Sequence, residues 1–276
     1  MYFLGIDIGT TVVKIGIFDE EGNSISLATE EYLFDISSNK IRVEVSQDDY
    51  WGTIKKVIRK TLQNIDKEEK SQIKSLSIST HTDTIFSLDK KGKDIRPVIV
   101  WLDGRGKEEL KKITSKFDSK EMFEITGQPQ PSPMVFGNRI YWIKENEPEN
   151  FDKVYKFMQV MDFVLYRLTG KIVGEATVYD GSYIYDIYKN DYFNPILEFI
   201  GTSREKLPEI VRCGTNLGKI RKEVVEEVGL PTDIQIVVGA MDQNCSSIGA
   251  GNCKKGIVTE TTGTVLALLT NIDKPY

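Results

Sequence analysis

Two short Gly/Thr turns in this chain have the residue types to cradle an anion. Gly9-Thr10-Thr11 lies between two apolar, β-branched stretches, 2–8 and 12–18. Gly9 allows backbone to approach a ligand closely, and the hydroxyl and N–H groups of Thr10 and Thr11 suit phosphate oxygens. Asp7, at the end of the first stretch, is placed to hold a hydrated Mg²⁺. Residues 256–269 repeat the plan, with Thr262-Gly263-Thr264 at the turn. Two such hairpins could clamp one polyphosphate, although a Gly turn at the tip of a hairpin needs no ligand to explain it.

Three strand ends add polar groups. Ile73 to Thr80 reads as a buried strand and runs into His81-Thr82-Asp83. A second strand, from Val98, ends in Trp101-Leu102-Asp103-Gly104-Arg105. Polar residues just past a core strand sit where open α/β sheets bind ligands, which makes His81 beside Asp83, with Asp103 and Arg105 at another strand end, a candidate for holding a polyol. The third is Ile234–Val238, followed by Gly239-Ala240-Met241-Asp242-Gln243-Asn244. Asp242 at a helix start is either a cap and dipole partner or a general base aimed into a cleft.

These groups need a scaffold. The Gly9–Thr11 connection is too short for a crossover, so strands 2–8 and 12–18 pair antiparallel. Ser24–Phe34 supplies a third strand. Ser46 and Asp49 form a capping-box-like start for a helix that buries Tyr50, Trp51, Ile54, Val57, Ile58, Leu62 and Ile65. Residues 85–88 and 98–102 are expected to continue the sheet, joined by the turn 89–92. Helical patterns recur at 108–117, 135–145, 161–168 and 219–228, and 128–133 is a Pro-rich loop. The tyrosines at 179, 183, 185, 188 and 192 read as half-buried strand and loop. Ser246, Ser247, Gly249, Ala250 and Gly251 give the helix after Asp242 a small face able to pack closely.

Composition bounds the rest. The chain has 276 residues, 40% hydrophobic and 28% charged, with net charge −5. That is ordinary globular composition, and the scattered basic residues argue against a nucleic-acid partner. No apolar run reaches the ~18 residues of a membrane span, and the N-terminus enters a strand directly. Cys213, Cys245 and Cys253 are odd in number, without C-x-x-C spacing, and there is one His. They read as free thiols of a cytoplasmic protein rather than a metal site.

Taken in order, the motifs resemble the N-terminal part of the FGGY carbohydrate kinases, the xylulose, glycerol, gluconate and ribulose kinases. Asp7-Ile8-Gly9-Thr10-Thr11, with Lys14, is similar to the first phosphate loop of the actin/hexokinase/Hsp70 ATPase superfamily. Gln47-Asp48-Asp49-Tyr50-Trp51 resembles the family's helix entry, and Trp101-Leu102-Asp103-Gly104-Arg105 its Trp-x-Asp-x-Arg strand end. Asn146–Glu149 and Leu168-Thr169-Gly170 sit where the family has similar segments. Gly239-Ala240-Met241-Asp242-Gln243 resembles its Gly-x-x-Asp-Asn/Gln motif, and Thr262-Gly263-Thr264 the second phosphate loop.

The resemblance implies an α/β, ribonuclease-H-like fold, a mixed sheet flanked by helices. It implies an ATP- and Mg²⁺-dependent kinase of a small sugar or polyol, a pentulose such as xylulose being favoured. Asp242 would be the base, with Asp7 and Asp242 at the metal, partly through water. His81, Thr82, Asp83, Trp101, Asp103 and Gln243 would form the substrate wall. Gly9, Thr10, Thr11, Lys14, Gly263 and Thr264 would hold phosphates. Departures are His81 where Gln is usual, Arg139 where Lys is common, and Glu175 where an Asp is often found. Residues 1–250 would be the N-terminal kinase domain and 251–276 the first hairpin of a truncated second domain, whose absence leaves the fragment inactive and without an adenine pocket. A hairpin without its sheet partners is expected to be exchanged in a homodimer. Two other readings stand beside the kinase: a non-catalytic actin- or Hsp70-like ATPase module, and a sugar-binding remnant.

Overall fold

The computed structural model describes residues 1–38, 41–128, 131–262 and 266–273. The N-terminal hairpin forms as its turn chemistry dictates. β1 (Tyr2–Ile8) and β2 (Val12–Phe18) pair antiparallel, with Ile6 opposite Ile15 and Asp7 opposite Lys14. β3 (Ser24–Glu31) extends the meander. On its other side β1 pairs in parallel with Ile73–Thr80, which pairs in parallel with Gln235–Met241, and Asn216–Lys219 closes that edge antiparallel. The result is a six-stranded mixed sheet.

Register sorts the side chains. Residues alternate between the two faces of a strand, so Leu4, Ile6 and Ile8 share a face with Ile17, Ile15 and Val13 of β2 and with Leu76 and Ile78. All are buried. α1 (Gln47–Gln63) packs on β2 and β3, and the helix Val160–Thr169 packs on the strands across the other half of the sheet. The Ser46 hydroxyl accepts from the Asp49 N–H at the start of α1, a cap worth about 1 kcal/mol.

The opposite face is different. There Gly5, Gly16 and Ser77 stand side by side and, with Phe18 and Leu27, line an open apolar groove of about 290 Å³. Helix Asp242–Gly249 reaches that face at one end, through Cys245. The expected helices thus cover one face fully and the other only at this end, among the described residues.

Other expectations need correction. Residues 86–88 and 98–99 do not extend the main sheet. Phe86–Leu88 pairs with Lys156–Met158, and Val98–Ile99 with Val43–Val45, in separate small sheets. Residues 101–102 form a turn rather than strand. The tyrosines at 179, 183, 185 and 192 are buried outright, and Tyr188 alone of the five is exposed. The small-faced helix 242–249 buries only Ser247. No helix among the described residues is long and apolar enough to cross a membrane. All three cysteines are free thiols.

The hairpin Val258–Thr262/Leu266–Thr270 pairs only with itself. It leans on helix 242–249, where the Ser247 and Thr259 hydroxyls meet at 2.8 Å and Asn252 Nδ2 donates to the Leu269 carbonyl at 3.0 Å. Its outer face stays bare: Val258, Leu266 and Leu268 are 62%, 65% and 67% exposed. Such a face favours association. At micromolar concentration this chain is expected to sediment above monomer mass, and Leu266→Lys with Leu268→Lys to return it to a monomer. A wild-type monomer would show that helix 242–249 is cover enough.

Candidate active site

Strand register brings three exits of the chain together. Ile8 pairs with Thr80, and Thr80 with Met241, so backbone leaves the sheet side by side at Gly9, His81 and Asp242. The carboxyl ends of parallel strands are where open α/β sheets bind ligands. A cleft of about 460 Å³ opens at that point. Its floor and one wall come from Asp7, Gly9, Thr10, Thr11 and Lys14; another from His81, Thr82, Asp83 and Trp101; a third from Asp242, Gln243 and Ser246. Thr261 and Thr262 reach it from the hairpin. Of the residues expected from sequence, Gly263 and Thr264 lie outside the described residues.

Asp242 opens its helix directly from the strand. The position depends on Gly239, where a Cβ would come within 1.7 Å of the Ile78 carbonyl oxygen. That close approach accompanies a shift of register between Val237 and Ala240, which turns the strand end toward the cleft. Asp242 Oδ1 accepts from the Gln243 N–H at 2.8 Å, so one oxygen does serve the helix start. Burial raises the Asp242 pKa and the nearby Asp7 carboxylate adds to the effect, against the Gln243 N–H and Lys14. A raised carboxylate facing a cleft is suited to proton transfer.

A second carboxylate contributes to the same arrangement. Glu175 Oε2 accepts both the N–H and the hydroxyl of Thr177, at 2.8 and 2.6 Å, and the Thr177 oxygen accepts the Met241 N–H at 2.9 Å. Glu175 thereby fixes the backbone one residue before Asp242. Thr177 gave no sign of this role in the sequence, because the contact spans 64 residues. Ser246 was also missed, although its place one helical turn after Asp242 is a usable signal.

On the Gly9–Thr11 side, Lys14 Nζ stands 3.5 Å from Asp7 Oδ2, and the Ser79 hydroxyl donates to Asp7 Oδ1 at 3.2 Å. Thr10 accepts the Trp101 indole N–H at 2.9 Å, which ties this loop to the opposite wall.

Asp83 has φ 64°, in the left-handed region, a conformation that Asp tolerates better than most residues and that marks a constrained position. It is pinned twice. Its N–H donates to Gln159 Oε1 at 2.6 Å, and its Oδ1 accepts the Phe136 N–H at 2.8 Å. Burial pushes its pKa up to about 6, against the Phe136 N–H and the Arg139 charge. His81 is fixed as a neutral ring. Nδ1 lies 3.0 Å from the Ile8 carbonyl, which can only accept, so the proton is on Nδ1. Nε2 then accepts the Thr84 hydroxyl at 2.8 Å, while Thr84 Oγ1 accepts the Trp101 N–H at 3.1 Å. Burial lowers the His81 pKa to about 4.

Asp103, expected in the substrate wall, does not reach the cleft. Its Oδ1 accepts the Arg105 N–H and Nε, and its Oδ2 accepts the Val43 N–H and Arg105 Nη2, at 2.6–3.1 Å. Burial raises its pKa, but those donors outweigh it and the net shift is down. Arg105 also pairs with Glu44, as does Arg96, and lies over the Trp142 ring. The Trp-x-Asp-x-Arg strand end is therefore an internal brace that presents Trp101 alone to the cleft.

The family model for the FGGY family of carbohydrate kinases, N-terminal domain, matches residues 2–249. The chain belongs to this family. It is 27% identical over 268 residues to the xylulose kinase of Lactococcus lactis subsp. lactis, covering 96% of this chain and 53% of that protein. To the gluconokinase of Bacillus subtilis it is 27% identical, covering 99% of this chain and 52% of that protein. Among solved structures, the gluconate kinase and the ligand-bound xylulose kinase of Lactobacillus acidophilus each superpose with a TM-score of 0.91 at 24% identity. Both matches cover all of this chain and 55% of the other. They share the fold, as the resemblance implied. The chain spans about half the length of the curated relatives it matches.

The neutral His81 has a measurable signature. An unfolded His takes a proton below about pH 6.5, whereas the folded ring resists until about 4, so this group stabilises the fold above pH 6.5 and loses that contribution as pH falls. Raised carboxylates such as Asp83 act in the opposite sense over the same window. The comparison with His81→Gln, whose amide can replace both hydrogen bonds, isolates the histidine. Between pH 7 and 4 the wild type should lose up to about 3 kcal/mol relative to His81→Gln in urea unfolding. Parallel pH profiles would show that the folded ring takes up its proton as readily as the unfolded one.

Proposed function

We propose that the protein containing this chain transfers a phosphoryl group from ATP to a hydroxyl of a small sugar or polyol, with a pentulose such as xylulose favoured and Asp242 as general base. The observation that carries this is the pairing, across one cleft, of a raised carboxylate at a strand-to-helix junction with a Gly/Thr loop. Membership in a carbohydrate-kinase family supports the reaction type. Similarity to both xylulose kinases and gluconokinases supports a small polyhydroxylated substrate.

The geometry supports a division of labour. Phosphoryl transfer requires mainly positioning and charge stabilisation. Gly9, Thr10 and Thr11 offer close backbone approach and hydroxyl donors for phosphate oxygens, with Lys14 as the nearby cation. Asp7 and Asp242, both lining the cleft, would hold a Mg²⁺, partly through water, and two carboxylates suit an ion that keeps several of its own waters. Bound Mg·ATP would supply the phosphoryl group and neutralise its charge. Asp242 would accept the proton of the attacking hydroxyl, and Thr177 with Glu175 would hold it in line. Thr82, Asp83, Trp101 and Gln243 would hold the sugar. His81, with both ring nitrogens engaged, would shape that wall without donating to it.

Residues 1–250 are read as the N-terminal kinase domain, which the end of the family match at residue 249 supports, and 251–276 as the first hairpin of a second one.

In the complete protein, Asp242→Asn should lower kcat by roughly 10²–10⁴-fold while the KM for ATP stays nearly unchanged. Wild-type turnover in that variant would reduce Asp242 to a helix cap. Asp7→Ala should instead shift the Mg²⁺ concentration required for half-maximal rate.

A further inference from the structure

Gln159 is a fully buried amide that stands at the start of the helix Val160–Thr169. Both ends of its side chain are engaged outside that helix. Oε1 accepts the Asp83 N–H at 2.6 Å, and Nε2 donates to the Val178 carbonyl at 2.8 Å. Val178 lies in the single helical turn Ala176–Tyr179, next to Thr177, whose oxygen takes the Met241 N–H at 2.9 Å. One planar amide thus joins the cleft wall at Asp83 to the turn that holds the backbone before Asp242. This connection lies outside the main sheet.

The bridge is itself fixed. The Gln159 N–H donates to Asp162 Oδ2 at 2.7 Å, and the same oxygen accepts the Tyr179 hydroxyl at 2.6 Å. The helix start and the 176–179 turn are therefore tied at two successive residues, Val178 and Tyr179. At the other end the consequence is conformational. Asp83 has φ 64°, and a non-glycine residue keeps a left-handed backbone only where its surroundings hold it. Releasing its N–H lets Asp83 relax toward an ordinary conformation, which swings its carboxylate out of place. An unpaired Val178 carbonyl, in turn, loosens the support of Thr177 and Met241.

We propose that Gln159 is a positioning residue for phosphoryl transfer, setting the spacing between Asp83 on the sugar wall and Asp242 as the base. The inference rests on the reading of this cleft as a kinase site. Gln159 is not among the residues that line the cleft, so it acts through the two that are. A base works only on a hydroxyl held within hydrogen-bond reach, and a misplacement of about 1 Å costs on the order of 10²-fold. The side-chain chemistry is specific. The Asp83 N–H requires an acceptor and the Val178 carbonyl a donor, which a neutral amide supplies on one head. A carboxylate lacks the donor, an ammonium lacks the acceptor, and Asn is one methylene short of the span.

The test is steady-state kinetics of the complete protein with ATP and D-xylulose, D-gluconate or glycerol. Four forms are compared: wild type, Gln159→Met, Asp242→Asn and the double variant. Met has the length of Gln without either hydrogen-bonding group. Gln159→Met should lower kcat by about 10–100-fold and raise the sugar KM, with the KM for ATP within about twofold of wild type. In the Asp242→Asn background the same change should cost less than about threefold in kcat, because a base already removed cannot be misplaced. The rise in sugar KM should persist there. Unchanged kcat in a folded Gln159→Met, or an equal loss in both backgrounds, would overturn the proposal and leave the kinase reading intact. If Gln159→Met does not fold, Gln159→Asn is read by the same criteria; if neither folds, Gln159 is a residue of the core and the proposal falls. No turnover of any of the three compounds by wild type, with no shift in its Tm on adding them, would overturn the kinase reading and the inference with it.

Discussion

The site depends on one steric constraint, the contact of Gly239 with the backbone of the neighbouring strand. With the Ile78 carbonyl where a Cβ would have to be, no side chain fits without moving one of two central strands. That approach allows Gln235–Met241 to slip its register and deliver Asp242 beside the exits of β1 and the 73–80 strand. Residues from sequence positions 7, 81 and 242 thus share one cleft. Everything further out, the Glu175–Thr177 bracket on Met241 included, holds a geometry that this contact makes available.

Around that centre the protein uses buried polar groups as braces. The Arg139 guanidinium makes four bonds to carbonyls, more than the three that an ammonium could donate, so Lys would not reproduce the arrangement. Burial lowers its pKa to about 10, which still leaves it charged at neutral pH. Asp103, Arg105, Glu44, Arg96 and Glu147 form a second brace. Removing one member of such a network strands a buried charge, which costs about 3–5 kcal/mol, so these residues fix shape more than they add stability.

Local signals in the sequence were read well. The first hairpin, α1 with its Ser46 cap, and the strand-to-helix step at Asp242 follow from alternation, capping and Gly placement within a few residues of one another. Non-local information was not legible. Residues 86–88 and 98–99 have strand composition, but composition does not say which sheet they join, and their partners lie at 156–158 and 43–45. Asp103 stands at a strand end like the other polar candidates, but the Val43 N–H that completes its shell is 60 residues distant. Gln159, which pins Asp83, sits at an ordinary helix start and carries no motif.

The hydrogen bond from the Trp101 indole to Thr10 joins the two halves of the cleft. Thr10 accepts through the same oxygen whose proton it can give away. The indole N–H polarises that hydroxyl, which makes its proton a better donor than that of an unpaired threonine. Two loops 91 residues apart in sequence are thus fixed to one another by a single side-chain contact that spans the cleft.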